Sequence, residues 1–254
     1  SMEESQRRHE AWVELSKEIA GDPSTRIYFT FDNHSPWSRV LRDDKVSEEI
    51  SHNGAVIGCK WEEGRWSGKG ALSFKRDNDR VRLNLPHNLT SATLAAWIRL
   101  DSIPQTASPI ICTEPVSLGA SCWSINRKGQ LSLRIKSSKD LTIYESAVAF
   151  GKDRVGRWTH VATTLDSNSR MIRHYVNGRS FSHEKLSELV PLNFEKSLLG
   201  HSSSMDKPSK GAAFRGSIDE FVIFEKAHDE ESIRRIYEIG RPYEPSHSLG
   251  PVLP

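Results

Sequence analysis

The sequence predicts an all-β fold of two stacked antiparallel sheets, with a short N-terminal helix and a C-terminal helix at its flanks. Three observations predict it. From Arg26 onward, short runs rich in β-branched and aromatic residues are separated by clusters of Gly, Asn, Asp, Ser and Pro. The run 94–100 alternates, with Leu94, Ala96, Ile98 and Leu100 on one side and Ala95, Trp97 and Arg99 on the other. Tight turns at Arg127-Lys128-Gly129-Gln130 and Val176-Asn177-Gly178-Arg179 suit antiparallel neighbours.

In chain order, Trp12, Leu15 and Ile19 recur at helical spacing within 10–20, and Gly21-Asp22-Pro23 stops the pattern. Residues 1–24 therefore read as a helical arm or linker. The sandwich is expected over 25–240. Its strands are expected at 26–31, 71–75, 81–85, 92–100, 109–113, 122–126, 131–135, 142–146, 159–165, 171–176, 197–200 and 216–224, more than a seven-stranded sandwich needs. The closing helix has Asp229 as cap, Glu230 and Glu231 at its positive end, a stripe of Ile233, Ile236 and Tyr237, and Gly240 as its stop. Residues 241–254 hold four prolines and read as an extended tail.

Composition narrows the functions. The chain of 254 residues carries a formal charge of +2 with its basic residues dispersed, so nucleic acid is not an expected partner. No apolar window reaches the length of a membrane span, and the start Ser1-Met2-Glu3-Glu4 lacks a secretory signal pattern. Cys59, Cys112 and Cys122 fit no zinc spacing; Cys112 and Cys122 suit either a bridge or two buried thiols. His160 points away from the Val161 and Leu165 face and reads as structural. The sequence has no Gly-x-Ser-x-Gly elbow, His-Glu-x-x-His helix or phosphate loop. Asp219 and Glu225 share a strand face but lie about 20 Å apart, too far for a glycosidic pair. A non-enzymatic function is expected.

Seven tryptophans supply flat apolar faces of the kind that stack on sugar rings. Trp97 and Trp158 read as core and Trp12 as the pin of the arm, whereas Trp37, Trp61, Trp66 and Trp123 lie in or beside loop-rich stretches. Trp37, Trp66 and Trp123 are the carbohydrate-binding candidates, with Asn126, Arg127 and His201 as polar partners. The polar loop 200–211 reads either as a binding edge or as filler.

The segment 214–240, with Gly216-Ser-Ile-Asp-Glu220 at its start, resembles the closing signature of LamG-like jelly-roll domains of the concanavalin A-like superfamily. Gly68-Lys-Gly-Ala-Leu-Ser-Phe74, 94–100, Arg157-Trp-Thr-His-Val-Ala-Thr163 and Tyr175-Val-Asn-Gly178 agree with it in order and spacing. The resemblance implies a jelly-roll sandwich and a lectin-like module that binds carbohydrate. It also implies a calcium ion near Asp32 and Asp219, with Asn53 from the His52-Asn53-Gly54 turn; the alternative roles for Asp219 are to cap a turn or to pair with Arg215. A narrower likeness, carried by 27–33, Ser35-Pro-Trp37 and 54–66, is to the LamG-like part of bacterial membrane regulators that pair it with an iron-dicitrate-sensor-like (FecR-type) anti-sigma segment. That likeness implies an extracytoplasmic glycan-sensing domain of a membrane-anchored protein. The alternative partner is an envelope protein.

Overall fold

The computed structural model describes residues 2–32, 35–46, 52–85, 88–114, 117–203 and 212–243. Helix α1 spans Met2–Gly21. The strands are β1 (Thr25–Phe29), β2 (Val40–Leu41), β3 (Gly54–Ile57), β4 (Lys60–Glu63), β5 (Gly70–Phe74), β6 (Arg80–Asn84), β7 (Ala92–Leu100), β8 (Ala107–Thr113) and β9 (Ser121–Asn126). They continue as β10 (Gln130–Lys136), β11 (Leu141–Val148), β12 (Thr159–Asp166), β13 (Met171–Val176), β14 (Arg179–Lys185), β15 (Lys196–Leu199), β16 (His201–Ser202), β17 (Ala212–Ala213) and β18 (Gly216–Phe224). Helix α2 closes the domain at Glu230–Gly240.

Two large antiparallel sheets stack into the expected jelly-roll sandwich. The front sheet runs β14-β13-β12-β7-β18-β5-β4, and the back sheet β11-β10-β9-β8-β15-β6-β3-β2. Their facing sides form one apolar core that includes Phe29, Leu94, Ile98, Trp123, Leu133, Val161 and Phe221. Trp123 of β9 spans it, its Nε1 donating to Thr163 Oγ1 of β12 at 2.8 Å, and Thr163 Oγ1 lies 2.9 Å from His174 Nδ1.

The outer side of the front sheet is covered as well. Leu15 and Ile19 of α1 and Ile233 and Ile236 of α2 pack on Tyr28, Ala95, Ala162, Val222 and Phe224. Asp229 caps α2 as expected, accepting from Ser232 N at 2.8 Å. Helix α1 reaches further toward the N-terminus than its apolar stripe indicates. Glu4 pairs with Arg7 and Arg8 one turn on, which supports the polar first half of the helix.

Strand β18 is the hinge of the topology. Its first residues pair with β5 and its last with β1, and a bulge between Ile218 and Glu220 interrupts its ladder with β7. The bulge keeps Ile218 and Phe221 facing the core while Asp219 and Glu220 both turn outward.

The turn 176–179 is a two-residue hairpin, with Asn177 at φ 49° and Gly178 at φ 76°. It leads into β14, which the sequence reading omits along with β2, β3, β4, β16 and β17. Cys112 and Cys122 face each other across β8 and β9 and are disulfide-bonded, with Cα atoms 4.0 Å apart. Cys59 is free and buried, and burial pushes its thiol up to about 12. No helix among the described residues is long and apolar enough to cross a membrane.

Candidate functional site

The sequence-derived candidates separate into three places. The first is closed. Where β18 changes neighbours, Arg65, Lys69, Asp219 and Glu220 form an ion cluster whose side chains are at most 6% exposed. Arg65 Nε donates to Asp219 Oδ1 at 2.8 Å, its main-chain N to Oδ2 at 2.6 Å, Nη1 to the Gly240 carbonyl at 2.6 Å, and Nη2 to Glu220 Oε2. Lys69 Nζ donates to the carbonyl oxygens of Thr30, Gly70 and Asp219 at 2.7, 3.2 and 2.9 Å, and to Asp219 Oδ1 at 2.6 Å. Trp12 Nε1 and the Tyr28 hydroxyl both donate to Glu220, at 2.9 and 2.5 Å. Two cations and two anions thus balance, as burial of charge requires. Burial alone raises the Asp219 carboxyl pKa; Arg65 and Lys69 outweigh it and hold the group below its ordinary value. Gly64 is obligatory here, because a Cβ would sit 2.2 Å from Asp219 Oδ2.

This geometry corrects two expectations. Asp219 neither pairs with Arg215, which bonds Asp77 instead, nor has oxygens left for calcium, since the Lys69 ammonium already takes its carboxylate and its carbonyl. The residues around Asp219 do not fit a metal ion. Among the described residues no group of three or more His, Cys, Asp and Glu side chains is placed to hold one. Trp66, expected at the surface, is 3% exposed and packs against the Arg65 guanidinium at 4.5 Å, with Trp97 on the same guanidinium at 4.6 Å. Nor do the adjacent carboxylates Asp219 and Glu220 make a hydrolytic pair, being buried and fully ion-paired.

The second place is the back sheet and its loops. Trp123 is wholly buried, a correction whose cause is alternation: Trp123 and Ile125 oppose Leu133 and Leu131 on the core face. Asn126 organises the β9–β10 turn, accepting from Lys128 N and Gln130 N, while Arg127 is exposed in the same turn. His201 is half-buried in β16, on the opposite side of β8 from β9. Without Trp123 these three residues have no aromatic platform among them. Most of the 200–211 loop lies outside the described residues.

The third place is open. Between β4 at one edge of the front sheet and β2 at the edge of the back sheet lies a cavity of about 460 Å³. Its walls include Phe31, Asp32, Arg42, Asp44, Asn53 and Trp61. Trp61 Nε1 donates to the Ser38 carbonyl at 2.9 Å, and its ring meets Phe31 edge-on, fixing it as a wall. Phe31, at φ 57°, turns the chain off β1 and delivers Asp32 to the cavity. Asp44 is engaged by Thr30 and Arg42, and Asn53 accepts from Asp43 N at 2.9 Å. Among the described residues no hydrogen bond engages the Asp32 carboxylate. Ser35 and Ser38 line the mouth and are joined as a turn, Ser38 N to Ser35 O at 3.1 Å. That turn carries Trp37, 82% exposed. The structure therefore brings Asp32, Asn53 and Trp61 to one cavity, while Trp37 sits on the turn whose Ser35 and Ser38 line it and is not itself among the walls; Asn33 lies outside the described residues.

No curated protein sequence matches the chain. The receptor binding domain of botulinum neurotoxin D shares the fold at a TM-score of 0.61 and 16% identity, over 87% of this chain and 53% of that one. The binding domain of Paraclostridial Mosquitocidal Protein 1 does so at 0.62 and 13%, over 86% and 52%. Domain 4 of AbnA, a GH43 extracellular arabinanase from Geobacillus stearothermophilus, in complex with arabinotriose, does so at 0.59 and 17%, over 84% and 98%. The chain thus spans about half the length of the toxin binding domains and nearly all of the arabinanase domain. A family model for the concanavalin A-like lectin/glucanases superfamily, Laminin_G_3, matches residues 75–234, well over half of the sequence. The chain belongs to this family.

Proposed function

We propose that the protein is a non-catalytic binding module for carbohydrate, and that the Trp37–Trp61 cavity is its sugar site. The observation that carries this reading is Trp37, a tryptophan 82% exposed on a hydrogen-bonded turn whose Ser35 and Ser38 line the cavity. An indole held open to water at that position offers a stacking face for a sugar ring, and the Asp32 carboxylate is placed to accept from ring hydroxyls. The arabinotriose-bound arabinanase domain of the same fold supports the ligand class. The part of the front sheet's outer face formed by Tyr28, Ala95, Ala162, Val222 and Phe224 takes no part in this site, since α1 and α2 pack on it.

The finer reading is that the module reports an extracytoplasmic glycan to a membrane regulator, which the regulator-like segments 27–33 and 54–66 support. A glycan array of the purified protein tests the core claim. Saturable binding to one glycan class, reduced about tenfold or more in Trp37→Ala, is expected. Binding unchanged in both Trp37→Ala and Asp32→Asn removes this cavity from the site. A silent array with folded protein turns the reading toward an envelope protein partner. Trp37 together with Val40, 50% exposed on the two-residue edge strand β2, is the surface that favours that alternative.

A further inference from the structure

A second cavity, of about 360 Å³, lies on the far side of the front sheet, where the N-terminal half of α1 and the end of α2 meet the loop before β12. It is lined by four arginines, Arg8, Arg154, Arg157 and Arg241, against one acid, Asp153. Nothing in the chain's overall charge of +2 foreshadows this concentration. Arg8 and Arg241 each have an acidic neighbour on their own side, Glu4 at 3.1 Å and Glu238 at 2.9 Å. Arg154 is fixed by its bond to the Ala149 carbonyl and by the Phe181 ring 5.9 Å away. Arg157 is exposed, and no carboxylate among the described residues pairs with it.

Aromatic rings complete the walls. Trp158 is braced by the Arg99 guanidinium 4.8 Å from its ring, and Tyr237 stacks on Trp97 at 5.8 Å. The C-terminal end of α2 also points here, and its carbonyl dipoles, about half a negative charge in sum, oppose an anion. That opposition is already answered: Arg65 Nη1 holds the Gly240 carbonyl at 2.6 Å, and Arg241 N holds that of Tyr237 at 2.8 Å. The arginines therefore set the sign of the cavity.

We propose that this cavity binds an anionic sugar, with the guanidinium groups of Arg157, Arg154 and Arg241 on its carboxylate or sulfate and the Trp158 and Tyr237 rings against its ring. Guanidinium matches an oxyanion with paired donors, and flat aromatic walls suit a pyranose face. The site is independent of the Trp37 cavity and stands or falls separately from it.

Calorimetric titration of the whole chain with sodium glucuronate, glucose and sodium sulfate provides the test. Glucuronate should bind saturably and in preference to both glucose and sulfate, more weakly at high ionic strength. Arg157→Gln should weaken it about tenfold, the loss of one charge-assisted contact, and Lys128→Gln, an exposed cation in the β9–β10 turn outside this cavity, should leave it unchanged. Because Arg157 is exposed, its variant should fold; matched melting curves check this. Absence of glucuronate binding, binding equal to that of glucose, or binding indifferent to a combined Arg157→Gln and Arg241→Gln change would overturn the proposal. Equal binding of sulfate and glucuronate would leave an inorganic anion site only and overturn the sugar assignment.

Discussion

The bulge of β18 and the β2–β4 edge are built from the same kinds of residue and do opposite things with them. At the bulge, Trp12, Trp66 and Trp97 enclose Arg65, and Asp219 spends every oxygen on Arg65 and Lys69. At the edge, Trp37 stands in water and the Asp32 carboxylate is unengaged among the described residues. Residue type therefore does not separate a fastening from a binding surface in this fold. What separates them is cover: α1 and α2 lie over the bulge, and nothing described lies over the edge.

The largest test of that contrast removes one charge from the closed region. Arg65→Met leaves two buried carboxylates facing one lysine and should cost about 3–5 kcal/mol of unfolding free energy, read from the urea midpoint. Trp37→Ala should change stability by no more than about 0.5 kcal/mol. Similar losses in the two variants would erase the distinction between the regions.

Acidity should act on the closed interior next. Burial, reinforced by Arg65, lowers His160 to about 3, and burial lowers His174 to about 4. Below pH 6.5 the unfolded chain takes up protons at these positions while the folded chain does not. Stability should thus fall with falling pH, by about 1.4 kcal/mol per pH unit for each imidazole, until its folded value is reached. Asp219, held low in the fold, adds to the loss only below its ordinary value of 3.8. Equal urea midpoints at pH 7.5 and 5.0 would contradict the burial of both rings.

The smallest expected effect is none at all. With Lys69 in the place where a cation was expected, excess chelator should leave the melting temperature unchanged. A fall in chelator would place a stabilising ion elsewhere in the molecule.

Much of the fold is legible in the sequence because its core strands alternate cleanly. β7, β13 and β18 fall at the residues their patterns indicate. The omitted strands lack that signal. Lys60-Trp61-Glu62-Glu63 and 179–185 are polar edge strands whose register is set by their partners β5 and β13. The Asn177-Gly178 turn was the available clue to β14, since a hairpin turn demands a returning strand. The site is less legible for a different reason. Trp123 was recoverable from its alternation with Ile125, but the burial of Trp66 and Asp219 depends on contacts such as Trp12 to Glu220, 208 residues apart. No local window contains both partners.

That same contact gives α1 a mechanical character. From Met2 to Ala11 the helix buries no residue fully, and its attachment to the sandwich there includes the His9 ring stacked on Trp66 at 5.4 Å. At Trp12 the indole is bound to Glu220, and through it α1 is tied to β18, an interior strand of the front sheet. A load carried along α1 meets two attachments in succession, the Trp66 ring and then Glu220 of β18, so the helix is fastened to an interior strand rather than to an edge of the sandwich.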